Sequence, residues 1–304
     1  MSEVRSLKND LMMLTKARLS LLVVVTTFFG FWLKSVGGRV DGWLMFHTIL
    51  GTTLAALGSS VFNQLIEIDV DSKMERTKSR PLPARRIPAG VAFVVGWLLC
   101  GAALVHLGNM VNLEAAGLTA LTLIVYIFVY TPMKQRSSMN TLVGAVAGAI
   151  PPVIGWVAAA GQPGEGEFFR WGLVIEPGAL FLFGLLFFWQ LPHFVAINWM
   201  YRDEYLRGGF VMWSNADETG KRTATLATIF SLCLASVMLI PIVYGNAGLW
   251  FGIGAGLLSV VMVLLALKFY RDRTRATARR LFLYTLIYLP LLLGVALVTW
   301  KNPN

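Results

Sequence analysis

Asn63, Glu67 and Asp71 recur at i, i+4 and i+8. At about 100° per residue each is displaced by only about 40° from the last, so on a helix all three share one face, while Asp69 points elsewhere. They close an apolar stretch and open a polar one, which puts them at a helix C-terminus, where free carbonyls already concentrate negative charge. Two carboxylates are unfavourable there unless a cation neutralises them. An all-oxygen donor set selects a hard divalent ion, Mg2+ ahead of zinc or copper. A magnesium with few protein ligands keeps waters and takes its other oxygens from phosphate, and the chain continues with Lys73, Arg76, Lys78 and Arg80. Metal and basic residues together describe a diphosphate site. The competing account is that the acids are solvated loop charges and the basic residues ordinary loop cations. It is weakest for Asn63 and Glu67, which sit on an apolar helix where polar side chains are expensive, and it is the better account of Lys73, Arg85 and Arg86.

A second cluster, Tyr201-Arg202-Asp203-Glu204-Tyr205-Leu206-Arg207-Gly208-Gly209, also ends an apolar stretch. Adjacent acids replace the helical spacing there, so a second metal site is less sharply drawn. Between the two clusters, Tyr130-Thr131-Pro132-Met133-Lys134-Gln135-Arg136 supplies two more cations for phosphate oxygens, although loop charge accounts equally well for Arg136. His193 precedes Asp203 by ten residues, about 15 Å along a helix, and either touches a bound substrate or orients its helix after Pro192. His47 and His106 read as hydrogen-bonded packing residues. The segment Asp217 to Thr223 matches only half of a P-loop and follows no strand, so it predicts no nucleotide site. Cys100 and Cys233 lie in apolar runs with no C-x-x-C spacing, which disfavours disulfide scaffolds, thiolate metal sites and covalent haem attachment.

The elements that must position these groups are membrane helices. Of 304 residues, 56% are hydrophobic and 14% charged, with mean hydropathy +0.66, whereas a soluble domain carries about 25% charged residues. Nine continuously apolar spans are predicted: Ala17–Val36, Trp43–Ile66, Val91–Met110, Leu113–Tyr130, Met139–Gly161, Pro177–Met200, Thr223–Tyr244, Ala247–Lys268 and Leu281–Trp300. Continuous rather than alternating apolarity selects helices over a barrel. The net charge of +10 is a matter of topology, not of nucleic acid: 22 of the 26 Lys and Arg, including Arg5, Lys8, Lys16 and Arg18, fall in one set of loops and only Lys34, Arg39, Arg170 and Lys301 in the other. That split predicts a cytoplasmic N-terminus and an external C-terminus. Ser6 to Arg18 reads as an amphipathic basic stretch at the inner interface rather than a cleaved signal. The whole chain, 1–304, reads as one transmembrane domain whose polar loops, about 67–90 and 201–222, carry the charge-dependent chemistry.

These residues resemble the UbiA-type intramembrane prenyltransferases, and most of all their haem-modifying branch. The matching stretches are Leu14-Thr15-Lys16, Asn63 to Pro83, Tyr130 to Trp156 and Trp189 to Gly208; the WQLPHF run leading into Tyr-Arg-Asp-Glu-Tyr is the most specific. The resemblance implies an all-α integral membrane bundle of nine helices in a bacterial cytoplasmic membrane. It implies Mg2+ on Asn63, Glu67, Asp71 and Asp203, with Glu204 as a further catalytic acid. Substrates would be held by Arg76, Lys78, Arg80, Lys134, Tyr130, Tyr201, Tyr205 and His193. The implied reaction transfers a farnesyl group from farnesyl diphosphate to a vinyl group of haem B, with water addition, giving haem O and diphosphate. Tyr126, Trp156, Phe188 and Trp189 are candidates to shelter an allylic cation. Two departures stand out: the family's first motif usually carries Asp where this chain has Glu67, and relatives that prenylate phenols carry aspartates where this chain has Tyr201 and Tyr205. A quinone or chlorin precursor is the alternative acceptor, and a transporter the alternative class. The sequence leaves open whether a haem A synthase or terminal oxidase docks on the chain; the basic run Arg271 to Arg280 is a candidate contact, for which anionic lipid is the simpler explanation. The 29 glycines, among them Gly144, Gly148 and Gly155, predict close helix contacts.

Overall fold

The computed structural model describes residues 7–164 and 167–302, so Arg5 and Ser6 lie outside the described residues, as does the side chain of Arg18. The helices in chain order are α1 (Leu7–Leu14), α2 (Ala17–Ser35), α3 (Gly42–Ile66), α4 (Ile68–Ser72), α5 (Ala89–Met110), α6 (Leu113–Ile124), α7 (Thr131–Met133), α8 (Asn140–Ala158), α9 (Pro177–Met200), α10 (Arg202–Arg207), α11 (Lys221–Val237), α12 (Ile240–Val243), α13 (Leu249–Asp272) and α14 (Arg275–Thr299). A π-helical segment, Val125–Tyr130, joins α6 to α7. The sheet content of the described residues is one isolated bridge, Ala247 to Trp300.

Eight helical stretches are long and apolar enough to cross a membrane, and the apolar part of α2, Ser20–Ser35, is shorter. Eight of the nine expected spans fall on these stretches, and the ninth, Ala17–Val36, falls on α2, whose apolar part is shorter than the rest. Their outward faces carry exposed Leu21, Trp97, Leu98, Phe128, Leu257 and Val298. Apolar side chains over the whole circumference of a bundle suit hydrocarbon rather than water.

Helix α8 is the hub, packing against α2, α6 and α9, while α9 in turn meets α11 and α14. Two glycines make the α2–α8 crossing possible. A Cβ on Gly155 would lie 1.9 Å from the Thr27 carbonyl oxygen, and one on Gly30 would lie 1.8 Å from that of Pro152. Close backbone approach of this kind is the usual means of helix association in lipid. Gly144 and Gly148 likewise face Tyr130 and Gln190 at contact distances that leave no room for a Cβ.

The end of the bundle remote from the acidic cluster is tied shut by polar contacts. Buried Glu114 accepts from the backbone N–H and Nε of Arg170, whose Nη2 reaches the Gly161 carbonyl at 2.6 Å. Glu176 Oε2 accepts from both Lys34 Nζ and Trp156 Nε1, at 2.6 and 2.7 Å. Asn302 Nδ2 donates to the Leu33 and Lys34 carbonyls at the C-terminal end of α2.

Candidate active site

At the opposite end lies a cavity of about 540 Å³, whose largely apolar wall also carries charged residues and scattered Ser and Thr side chains. Helix α3 stops at Ile66, and Glu67 leaves helical geometry (φ −97°, ψ 10°) before α4 resumes the chain. The break does not destroy the ladder: Glu67 N–H donates to Asn63 O and Asp71 N–H to Glu67 O. Asn63, Glu67 and Asp71 therefore stay on one side, and all three are buried.

Each of these acceptors is matched with a cation from a different element. Lys16 Nζ donates to Asn63 Oδ1, Lys134 Nζ to Glu67 Oε1 at 2.8 Å, and Arg80 Nη1 to Asp71 Oδ2 at 2.5 Å. Lys16 reaches inward because it sits in the left-handed region (φ 48°) where the chain turns from α1 into α2. Arg80 returns on the loop after α4, which Thr77 fastens by donating its hydroxyl to the Asp71 carbonyl. Lys134 follows the π-helical segment. Pro132 lacks an N–H to continue the helix, and Thr131 Oγ1 donates back to the Tyr126 carbonyl at 2.8 Å. The rearrangement brings Tyr126 and Tyr130 together, ring centroids 5.4 Å apart, and sets Lys134 Nζ 4.5 Å from the Tyr130 ring centre, a cation–π distance. The Lys134 carbonyl accepts from Val211 N–H at 2.7 Å, so the loop after α10 buttresses it.

Burial, abetted by Lys134 and Arg80, pushes the Lys16 ammonium down to about 7 against the opposing pull of Glu67 and Asp71. Burial likewise raises the Asp71 carboxyl, outweighing the Arg80 guanidinium beside it. Lys134 moves the other way: burial opposes its charge, but Tyr130 and Glu67 outweigh that and raise it. The cluster thus crowds three basic side chains, Lys16, Arg80 and Lys134, around Glu67 and Asp71, a basic surrounding suited to an entering polyanion.

A hard divalent cation fits the donor set. Asp71 Oδ1 is buried without a hydrogen-bond partner among the described residues, and an unpaired buried carboxylate oxygen is costly unless something charged completes it. The described residues contain no cluster of three or more His, Cys, Asp or Glu able to enclose a metal by themselves. Two carboxylates suit magnesium, which takes its remaining oxygens from water and phosphate.

Not every expected site residue reaches this cavity. Arg76, Arg80, Tyr130, Lys134, His193 and Tyr205 line it with Glu67 and Asp71, whereas Asn63 lies behind Lys16. Lys78 pairs instead with Glu75 on the exposed loop at 2.6 Å. Asp203 is 82% exposed and pairs with its neighbour Arg202; α10 is one short turn that swings it outward while turning Tyr205 in. Glu204 is absent from the cavity wall, and exposed Tyr201 faces Arg275. Of the candidate sheltering aromatics, Tyr126 and Trp189 line the cavity. Trp156 does not, being held at the remote end by Glu176 and Trp300, and Phe188 packs edge-to-face with Phe187 outside the lining. Lys16 and Thr131 are site-forming residues that spacing does not reveal, since each acts through a contact distant in sequence: Lys16 donates to Asn63 Oδ1, and Asn63 Nδ2 donates to Thr131 Oγ1 at 3.3 Å. The half P-loop is a helix start: Asp217 Oδ2 accepts from Thr223 N–H and hydroxyl and fixes the N-terminal turn of α11.

A helical membrane bundle whose buried polar chamber combines two carboxylates with a ring of cations defines an intramembrane enzyme acting on a phosphorylated lipid. Residues 23–293 match the UbiA prenyltransferase family. The chain belongs to that family, and it is a transferase rather than a transporter. Among its relatives, the protoheme IX farnesyltransferase of Solibacter usitatus is 39% identical over 299 residues, covering 95% of this chain and 98% of the relative. That of Opitutus terrae is 39% identical over 291 residues, covering 95% and 94%. The fold superposes on a digeranylgeranylglyceryl phosphate synthase with TM-score 0.79 at 14% identity, over 96% of this chain and 97% of that one. A UbiA homologue from Archaeoglobus fulgidus with GPP and Mg2+ bound gives TM-score 0.61 at 12% identity, over 94% and 99%.

Proposed function

We propose that this protein transfers a farnesyl group from farnesyl diphosphate to a vinyl group of haem B in a bacterial cytoplasmic membrane, yielding haem O and diphosphate. The identity of nearly two residues in five with protoheme IX farnesyltransferases along almost the full chain supports the acceptor. The observation that carries the chemistry is Asp71, one oxygen on Arg80 and the other buried and unpartnered.

Glu67 and Asp71 would hold Mg2+, with Asn63 joining once Lys16 releases its amide oxygen. The ion would draw charge from the diphosphate as a Lewis acid. Arg76, Arg80, Lys134 and Lys16 bind the leaving diphosphate; Arg80 and Lys134 exchange a carboxylate for phosphate oxygens as it enters. The C1–O bond of the farnesyl group then breaks, its electron pair leaving with the diphosphate, and positive charge spreads over the allyl carbons. Tyr126 and Trp189 present ring faces to that charge in a chamber whose largely apolar walls limit bulk water. The terminal vinyl carbon of haem bonds to C1, and water adds to the inner vinyl carbon and loses a proton, which gives the hydroxyethylfarnesyl group.

Membranes containing the chain, supplied with farnesyl diphosphate, haem B and Mg2+, are expected to form haem O. Turnover of 4-hydroxybenzoate with no reaction of haem would reassign the acceptor to a quinone precursor.

A further inference from the structure

His193 on α9 is the only histidine in the cavity wall among the described residues, and a residue of α14 decides its protonation pattern. Its Nδ1 lies 2.7 Å from Thr285 Oγ1. That hydroxyl is already committed as a donor, because Thr285 Oγ1 donates to the Phe282 carbonyl at 2.6 Å. A hydroxyl has one hydrogen, so towards His193 it can only accept. The imidazole therefore carries its proton on Nδ1 and its lone pair on Nε2. Among the described residues Nε2 has no hydrogen-bond partner, and it is not one of their sealed-off polar atoms.

The ring is held as firmly as its tautomer. It stacks on Trp189 with centroids 5.7 Å apart and lies 4.8 Å from Phe282. Trp189 Nε1 donates to the Thr285 carbonyl at 2.8 Å, so the fully buried Thr285 bonds both the Trp189 and the His193 rings. A neutral imidazole oriented by a donated Nδ1–H, with a free Nε2 facing a chamber, is the usual arrangement of a metal-ligating histidine. Its ring neighbours are aromatic and its Nδ1–H goes to a hydroxyl, not to a carboxylate that would stabilise an imidazolium. The site thus favours coordination over proton abstraction.

We propose that His193 Nε2 is an axial ligand to the iron of the haem substrate, with Thr285 as the positioning residue that presents the lone pair. This rests on haem B being the acceptor. Coordination would fix the macrocycle plane and so choose which vinyl group meets the farnesyl carbon.

The test uses the full chain in lipid nanodiscs, titrated with haem B and with metal-free protoporphyrin IX. Haem B is expected to bind at least about tenfold more tightly and to show a histidine-ligated spectrum, which His193→Ala abolishes and added imidazole restores. Thr285→Val is expected to weaken haem B binding by about tenfold with no effect on protoporphyrin binding, and Thr285→Ser to retain it. Equal affinity of the wild type for the two porphyrins, with haem O still formed, would overturn the ligand while leaving the farnesyl transfer intact. Failure of the wild type both to bind haem B and to form haem O would overturn both. The wild-type comparison decides the matter even where a variant does not fold.

Discussion

Asp71 divides its carboxylate between two tasks: Oδ2 accepts from Arg80 Nη1 at 2.5 Å, while buried Oδ1 accepts from nothing. Asp71→Asn preserves the shape and removes the charge. Haem O formation is expected to fall by about 10²- to 10³-fold, the usual cost of losing one preorganised electrostatic contact to a developing charge. Assay of inserted protein at saturating substrate checks this; activity within threefold of wild type would remove Asp71 from the chemistry.

The Lys134–Glu67 pair makes a different prediction. Lys134 is held by Tyr130, Phe210 and the backbone of Val211 as well as by Glu67. Lys134→Met should lower kcat/KM for farnesyl diphosphate by at least about 100-fold, because it removes a diphosphate contact and leaves Glu67 uncompensated. Lys134→Arg should recover only part of this, since a planar fork cannot occupy the place of a compact ammonium above the Tyr130 ring. Steady-state kinetics distinguish the two.

Asp203 and Tyr205 separate two accounts of the second motif. Asp203 is exposed and bound to its neighbour, while Tyr205 lines the cavity. Asp203→Asn should leave turnover within about threefold of wild type, as for other exposed substitutions. Tyr205→Ala should raise KM for the prenyl diphosphate. A hundredfold loss in Asp203→Asn would show that α10 turns inward during the reaction.

These contrasts mark what could be read before the fold was known. Pro177–Met200 has the same limits in sequence and structure because Pro at the first helical turn and a continuous apolar run announce themselves locally. The Asn63, Glu67 and Asp71 ladder was legible because it depends only on helical spacing, and it survives the break at Glu67 since the backbone hydrogen bonds bridge it. Lys16 was hidden: its partner Asn63 is 47 residues away, and its inward turn needs a left-handed backbone that no glycine advertises. His193 and Thr285 are 92 residues apart. The direction of Asp203 was equally unreadable, since in a six-residue helix the docking of the element, not its periodicity, decides which side faces inward.

The remote end should act as a structural clamp without touching catalysis. Glu114 is fully buried against Arg170, and breaking a buried pair by removing one partner costs about 3–5 kcal/mol. Glu114→Ala should lower the thermal midpoint in detergent markedly while leaving KM for farnesyl diphosphate unchanged in the fraction that remains folded. An unchanged midpoint would mean that the Arg170 loop contributes nothing to stability.

The most direct measurement places the metal. Crystals of the protein soaked with Mn2+ in place of Mg2+ and with a non-hydrolysable farnesyl diphosphate analogue would show the ion by anomalous scattering. The expected result is density bonded to Asp71 and Glu67, with Arg80 and Lys134 moved onto the diphosphate. Density at Asp203, with Asp71 still closed on Arg80, would contradict the assignment of the cavity as the site of ionisation.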